Sequence, residues 1–139
     1  MEQLQCNRSH IAQALTLVLV QRLVRRLCPS CTRLEAPPPI VFDSLVARRL
    51  VARSAPIPLP RATGCDACRG TGYAGRIVVA ECLQLTDDFR TALMSGVPIP
   101  ELARLAAESK ILLSFGQCAS FLMSRSAIDP TEALLTLAD

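Results

Sequence analysis

The sequence predicts an α+β fold, mostly helical, made of a tetracysteine knuckle, a short β segment and a C-terminal helical subdomain. Three observations carry that expectation. Two Cys-x-x-Cys pairs, Cys28–Cys31 and Cys65–Cys68, flank a proline-rich insert. A β-rich run, Ile77-Val78-Val79-Ala80-Glu81-Cys82-Leu83, follows the second pair. Beyond it, capping residues recur ahead of apolar positions at helical spacing, which marks a series of helices.

Residues 9–27 read as one amphipathic helix. Ser9 or Asn7 can cap it, and Ile11, Leu15, Val18, Leu19, Leu23 and Leu27 fall at helical spacing. Arg22, Arg25 and Arg26 would then lie in its last turns, complementing the helix dipole. Cys28-Pro29 ends it, because proline disfavours helical geometry in the residue before it. Pro37-Pro38-Pro39 reads as an extended connector. Residues 43–53 predict a short helix with Leu45, Val46, Arg49 and Leu50 on one side. Pro56, Pro58 and Pro60 alternate with Ile57 and Leu59, which suggests an extended edge strand.

The segment from Gly64 to Arg76 reads as a knuckle and turn whose glycines supply positive φ angles. After the β run, Thr86 caps a helix with Asp87 and Asp88 in its first turn, stopping at Gly96. Pro100 opens a second helix with Leu102, Leu105 and Ala106 inward. Residues 111–124 predict a third, strongly apolar one. Asp129-Pro130-Thr131-Glu132 has the form of a capping box. The expected organisation is an amphipathic helix at 1–27, a tetracysteine module at 28–76, and a strand plus helical subdomain at 77–139, together one compact unit.

Composition narrows the function classes. At 139 residues, 50% hydrophobic and 19% charged, the chain can bury one modest core and is not disordered. Aromatics are 4% with no Trp, so the core is built from Leu, Val, Ile and Ala. A net charge of +3 without stacking aromatics argues against nucleic acid. The first ten residues lack the pattern of a signal peptide. The run Leu15–Val20 meets Arg22, Arg25 and Arg26 too soon to span a bilayer. A cytoplasmic, reduced chain is the expectation, peripheral to a membrane at most. Seven cysteines, an odd number, fit free thiols and a metal site better than a disulfide framework.

Two residues between paired thiolates let both sulfurs reach one ion. Two such pairs, Cys28 with Cys31 and Cys65 with Cys68, complete the tetrahedral S₄ shell that Zn²⁺ accepts. Such a site leaves no open position for water, so the zinc would be structural and no catalytic residue is expected. Four thiolates around a dication carry a net charge of −2, and Arg33, Arg61, Arg69 and Arg76 lie near in sequence to offset it. Each pair alone also fits a dithiol redox motif, although no βαβ pattern precedes Cys28. Cys6, Cys82 and Cys118 have no partners at ligand spacing and read as core or surface thiols. His10, the single histidine, reads as a surface or capping residue. The arginine clusters Arg22, Arg25, Arg26 and Arg48, Arg49, Arg53 suit an acidic partner or a solvated face equally.

These phrases resemble the C-terminal part of the type II secretion and type IV pilus assembly ATPases, the GspE/PilB kind. The carriers are Gln21-Arg22-Leu23-Val24-Arg25-Arg26-Leu27-Cys28-Pro29-Ser30-Cys31 and the run from Gly64 to Arg76 with the strand to Glu81. The resemblance covers residues 9–139. It implies a role in protein secretion or pilus biogenesis, with motor subunits and an inner-membrane platform as protein partners. A hexamer is implied only for the full-length family context. The family's ATPase core carries a phosphate-binding loop of the form Gly-x-x-x-x-Gly-Lys-Ser/Thr. Here Gly70–Gly75 is followed by Arg76 and Ile77, and the only lysine is Lys110. The chain alone is therefore expected to be a non-catalytic module acting in assembly or docking.

Two other classes stay open on the residues themselves. A stand-alone zinc module of chaperone or nucleic-acid-binding type is suggested by Cys65-x-x-Cys68-x-Gly70-x-Gly72, which matches one repeat of DnaJ-type zinc domains. The first pair lacks those glycines. A thiol oxidoreductase is the third class.

Overall fold

The computed structural model describes residues 7–54, 57–108 and 111–137, with backbone alone at 107, 108, 111 and 112. The chain forms two compact units, one from Met1–Val20 and Glu81–Leu113, the other from Gln21–Ala80 and Ser114–Asp139. Elements follow in the order α1 (Arg8–Ala14), β1 (Leu17–Leu27), β2 (Arg33–Glu35), α2 (Pro39–Ala47), β3 (Leu59–Arg61), a 3₁₀ turn (Asp66–Cys68) and β4 (Tyr73–Gln84). Then come α3 (Asp87–Met94), α4 (Ile99–Glu108), β5 (Ile111–Leu113), α5 (Phe115–Ser124) and α6 (Pro130–Thr136). The α+β class is as expected. Strands β1, β4 and β5 form one sheet in that order, and β2 pairs with β3 in a second.

The long first helix is not there. Asn7 caps α1, its Oδ1 accepting from the Ser9 N–H at 2.9 Å, but the helix ends at Ala14 and Leu17–Leu27 is a strand. The segment contains the β-branched Val18, Val20 and Val24, which lose rotamer freedom in a helix and fit a sheet. Pairing with β4 decides between the two readings. The arginines therefore cap no helix of their own.

The other departures are smaller. The helix expected at 43–53 starts earlier, with Pro39 in its first turn, and stops at Arg48 before Arg49 turns left-handed at φ 58°. The helix expected at 111–124 is divided. Ile111–Leu113 is a strand, and Ser114 then caps α5 in a capping box with Gln117. Of the expected edge strand at 56–60, only Leu59 and Pro60 lie in a strand, β3, which runs on to Arg61; Pro56 lies outside the described residues. Cys6 and Lys110 also lie outside them. Thr86 and Asp129 cap α3 and α6 as expected, accepting from Phe89 and Glu132 N–H respectively.

In the first unit, Arg90 holds the end of α1, its guanidinium donating to the carbonyls of Ala12 at 2.7 Å and Leu15 at 2.6 Å. Those carbonyls sit at a helix C-terminus, where a cation is favoured. In the second unit, Val24, Leu45, Leu50, Leu59, Val79, Ala119, Met123, Ile128 and Ala133 form the core. It is aliphatic, as the scarcity of aromatics requires. Cys118 packs against this core, and Cys82 lies opposite Leu113 in the sheet of the first unit.

Candidate metal centre

The two cysteine pairs meet because of what lies between them. β2 and β3 pair antiparallel, Arg33 opposite Arg61 and Glu35 opposite Leu59, so the insert leaves and returns side by side. This ladder brings the residues just after Cys31 beside those just before Cys65. The Thr63 hydroxyl donates to the Cys31 carbonyl, and the Cys28 N–H donates to the Gly72 carbonyl at 2.9 Å.

Each pair sits on a tight turn. After Cys28, the N–H groups of Cys31 and Thr32 both donate to the Cys28 carbonyl, at 3.3 and 3.0 Å, and the Thr32 hydroxyl joins them at 2.7 Å. The second turn repeats the device with the Thr71 hydroxyl on the Cys68 carbonyl at 2.7 Å. Gly64 is held at φ +92°, and a Cβ there would stand 2.5 Å from the Gly70 carbonyl oxygen. Only glycine closes this turn.

All four sulfurs lie within 4.8 Å of one another. The Cys28–Cys65 separation is 4.0 Å, and Cys31–Cys68 and Cys65–Cys68 are each 3.8 Å. The four cysteines are free thiols. Four sulfurs about 2.3 Å from a central ion form a tetrahedron with edges of about 3.8 Å. The cluster therefore fits a tetrathiolate metal site, and the four residues are together able to hold one ion.

The surroundings favour a negative sulfur at Cys68. Cys68 Sγ accepts from the N–H of Cys65 at 3.2 Å and of Gly72 at 3.1 Å. Burial acts to raise the Cys68 pKa, but these amides, together with the neighbouring Cys65 and Cys31 side chains, outweigh it and bring it down from 9.0 to about 6. Cys65 moves the other way, to about 11. The Cys68 N–H favours its thiolate, but burial and the neighbouring Cys68 and Cys31 sulfurs outweigh that bond. A metal ion entering such a set displaces the protons that remain.

The arginines expected to offset the cluster are not all available. Arg61 is engaged by Glu35 at 2.7 Å. Arg69 ends the second turn in the left-handed region at φ 55°. His10 is exposed on α1.

A supporting group was not legible from the motifs. Tyr73, the first residue of β4, donates its hydroxyl to Asp129 Oδ2 at 2.5 Å. The Arg25 guanidinium lies over the Tyr73 ring at 4.0 Å and binds Glu132 through Nε at 2.8 Å and Nη2 at 2.7 Å. Asp129 also receives the Glu132 N–H at 2.9 Å, closing the circuit. Both carboxylates are buried, and burial together with Asp129 drives the Tyr73 pKa upward. The one tyrosine of the chain, placed directly after the second knuckle, was the available signal.

An aliphatic α+β frame carrying a four-cysteine cluster able to hold a metal defines the class. The chain belongs to the type II/IV secretion system protein family, which it matches over residues 1–128. It is 39% identical over 100 residues to the type IV pilus assembly ATPase PilB of Thermus thermophilus, covering 70% of this chain and 11% of that protein. It is 33% identical over 103 residues to the type II secretion system protein E of Dickeya dadantii, covering 74% and 20%. It is 32% identical over 111 residues to the protein transport protein HofB homolog of Escherichia coli, covering 78% and 22%. The chain thus spans between 11% and 22% of the length of these three relatives.

Proposed function

We propose that this chain is a non-catalytic, zinc-stabilised module of a secretion or pilus assembly ATPase that acts in assembly and partner docking. The observation that carries the reading is the four-cysteine cluster, its sulfurs within 4.8 Å of one another and three of their separations at 3.8 to 4.0 Å, which suits zinc and leaves no position for a reacting water. Cys28, Cys31, Cys65 and Cys68 would be the ligands, and the ion would supply a cross-link, tying the end of β1 to the turn before β4.

The docking half of the reading rests on β1. Leu17, Val18, Leu19 and Val20 are all exposed, and β1 stands at the edge of its sheet among the described residues. A strand apolar on both faces suits a position covered on both sides. An exposed apolar edge is also a template for pairing. We assign the motor portion of the same ATPase family as its occupant, since the matched relatives are far longer than this chain. The module would work in the cytoplasm, beside the inner-membrane platform of the system. Among the described residues no helix is long and apolar enough to cross a membrane.

Calorimetric titration of the chain with Mg-ATP tests the non-catalytic assignment. No measurable heat is expected, and micromolar affinity would overturn it.

A further inference from the structure

A second site opens on the far side of the first cysteine turn. The Leu27 N–H donates to the Ala127 carbonyl at 2.8 Å, which lays the turn after α5 alongside Arg26. Between them is a cleft of about 360 Å³ lined by Arg26, Pro29, Thr32, Leu34, Arg125 and Ser126 among others, with no carboxylate in its wall. Arg25, Arg61, Arg90 and Arg104 each face a carboxylate. Arg26 and Arg125 pair with none among the described residues, and they line the same cleft.

The turn that carries Arg125 is built at a cost. Ser126 is left-handed at φ 54° without being glycine, held by its N–H on the Met123 carbonyl at 3.0 Å and by Ala127 N–H on Leu122 at 2.9 Å. Those bonds use the local amides, and Arg26 and Arg125 are the charged residues of the cleft. Arg125 is steered over the Phe121 ring at 5.5 Å. The remaining wall mixes the hydroxyl-bearing Thr32 and Ser126 with the apolar Leu27, Pro29, Leu34 and Ala127, and Leu34 is 62% exposed there.

We propose that this cleft binds a carboxylate-bearing segment of a protein partner, an Asp or Glu flanked by an apolar side chain. Guanidinium forks match a planar carboxylate in two-point geometry. Leu34 and Pro29 take the flanking apolar group, which an inorganic anion or lipid headgroup would leave unmatched. The inference goes beyond the scaffold role proposed above and does not depend on which metal the cysteines hold.

The test is nuclear magnetic resonance of the ¹⁵N-labelled full chain at physiological salt. The chain is titrated with N-acetyl-Leu-Asp-Glu-Leu-amide, with its Asn-Gln counterpart, and with inorganic phosphate. Saturable shifts are expected at the Nε–H signals of Arg26 and Arg125 and at the amides of Thr32 and Ser126. The Asn-Gln peptide should bind at least tenfold more weakly, and Arg26→Gln or Arg125→Gln should each weaken the acidic peptide by roughly tenfold. Metal content should stay unchanged in both variants. Absence of shifts at millimolar peptide would overturn the proposal, as would equal shifts at Arg33 and Arg69. Tighter binding of phosphate than of peptide would overturn the choice of ligand. Loss of metal in the variants would show that the arginines serve the cysteine cluster instead.

Discussion

Tyr73 and Asp129 are joined by a hydroxyl–carboxylate bond of 2.5 Å, which fastens the strand leaving the second cysteine turn to the cap of the last helix. Asp129 uses its other oxygen to cap α6, so one buried carboxylate serves both the knuckle and the C-terminal helix. The second cysteine turn and α6 are therefore expected to gain and lose order together.

Tyr73→Phe keeps the ring beneath Arg25 and removes the hydroxyl. Asp129 Oδ2 then loses its donor in a position only 6% exposed. A buried acceptor left unsatisfied costs about 1–3 kcal/mol. The urea unfolding midpoint should fall accordingly, and an unchanged midpoint would mean that water replaces the hydroxyl at no cost.

Two glycines give a controlled comparison. Gly72 and Gly75 have φ of +76° and +78°, so alanine at either carries the left-handed penalty of about 1–2 kcal/mol. At Gly75 a Cβ meets nothing within 4 Å, whereas at Gly72 it would stand 2.6 Å from Ala62 Cβ. Gly72→Ala should cost about 1–3 kcal/mol more, through the overlap. It should also weaken metal retention, because the Gly72 N–H donates to Cys68 Sγ. Equal stability of the two variants in chemical denaturation would contradict the tight approach of residues 62 and 72.

The parts of this account that could be read from the sequence are those governed by local chemistry. The Cys-x-x-Cys spacing, the caps at Thr86 and Asp129 and the turn glycines each act within four residues or so, and they reappear in place. Helix against strand at 17–27 is settled by pairing with β4, a partner more than forty positions on, and no local pattern carries that information. The same distance hid the Tyr73–Asp129 bond. Asp129 and Glu132 were visible as capping residues but not as the acceptors of Tyr73 and Arg25.

Cys65→Ser removes one sulfur from the cluster and so tests what the cross-link holds. Hydrogen exchange should accelerate strongly at residues 28–32 and 65–73. It should also accelerate in α6, through Tyr73 and Asp129. Helices α3 and α4 belong to the other unit, have their own contacts, and should keep their protection. Uniform loss across both units would show that the metal site holds the entire chain, and no change anywhere would show that it holds none of it.

The most direct measurement is the metal content of the chain purified without added metal, combined with the X-ray absorption spectrum of the bound ion. One zinc per chain is expected, with four sulfur neighbours at about 2.3 Å. Its removal by a chelator should expose four alkylatable thiols at Cys28, Cys31, Cys65 and Cys68. A zinc content near zero with those thiols already reactive, or a shell containing nitrogen or oxygen, would contradict the tetrathiolate site.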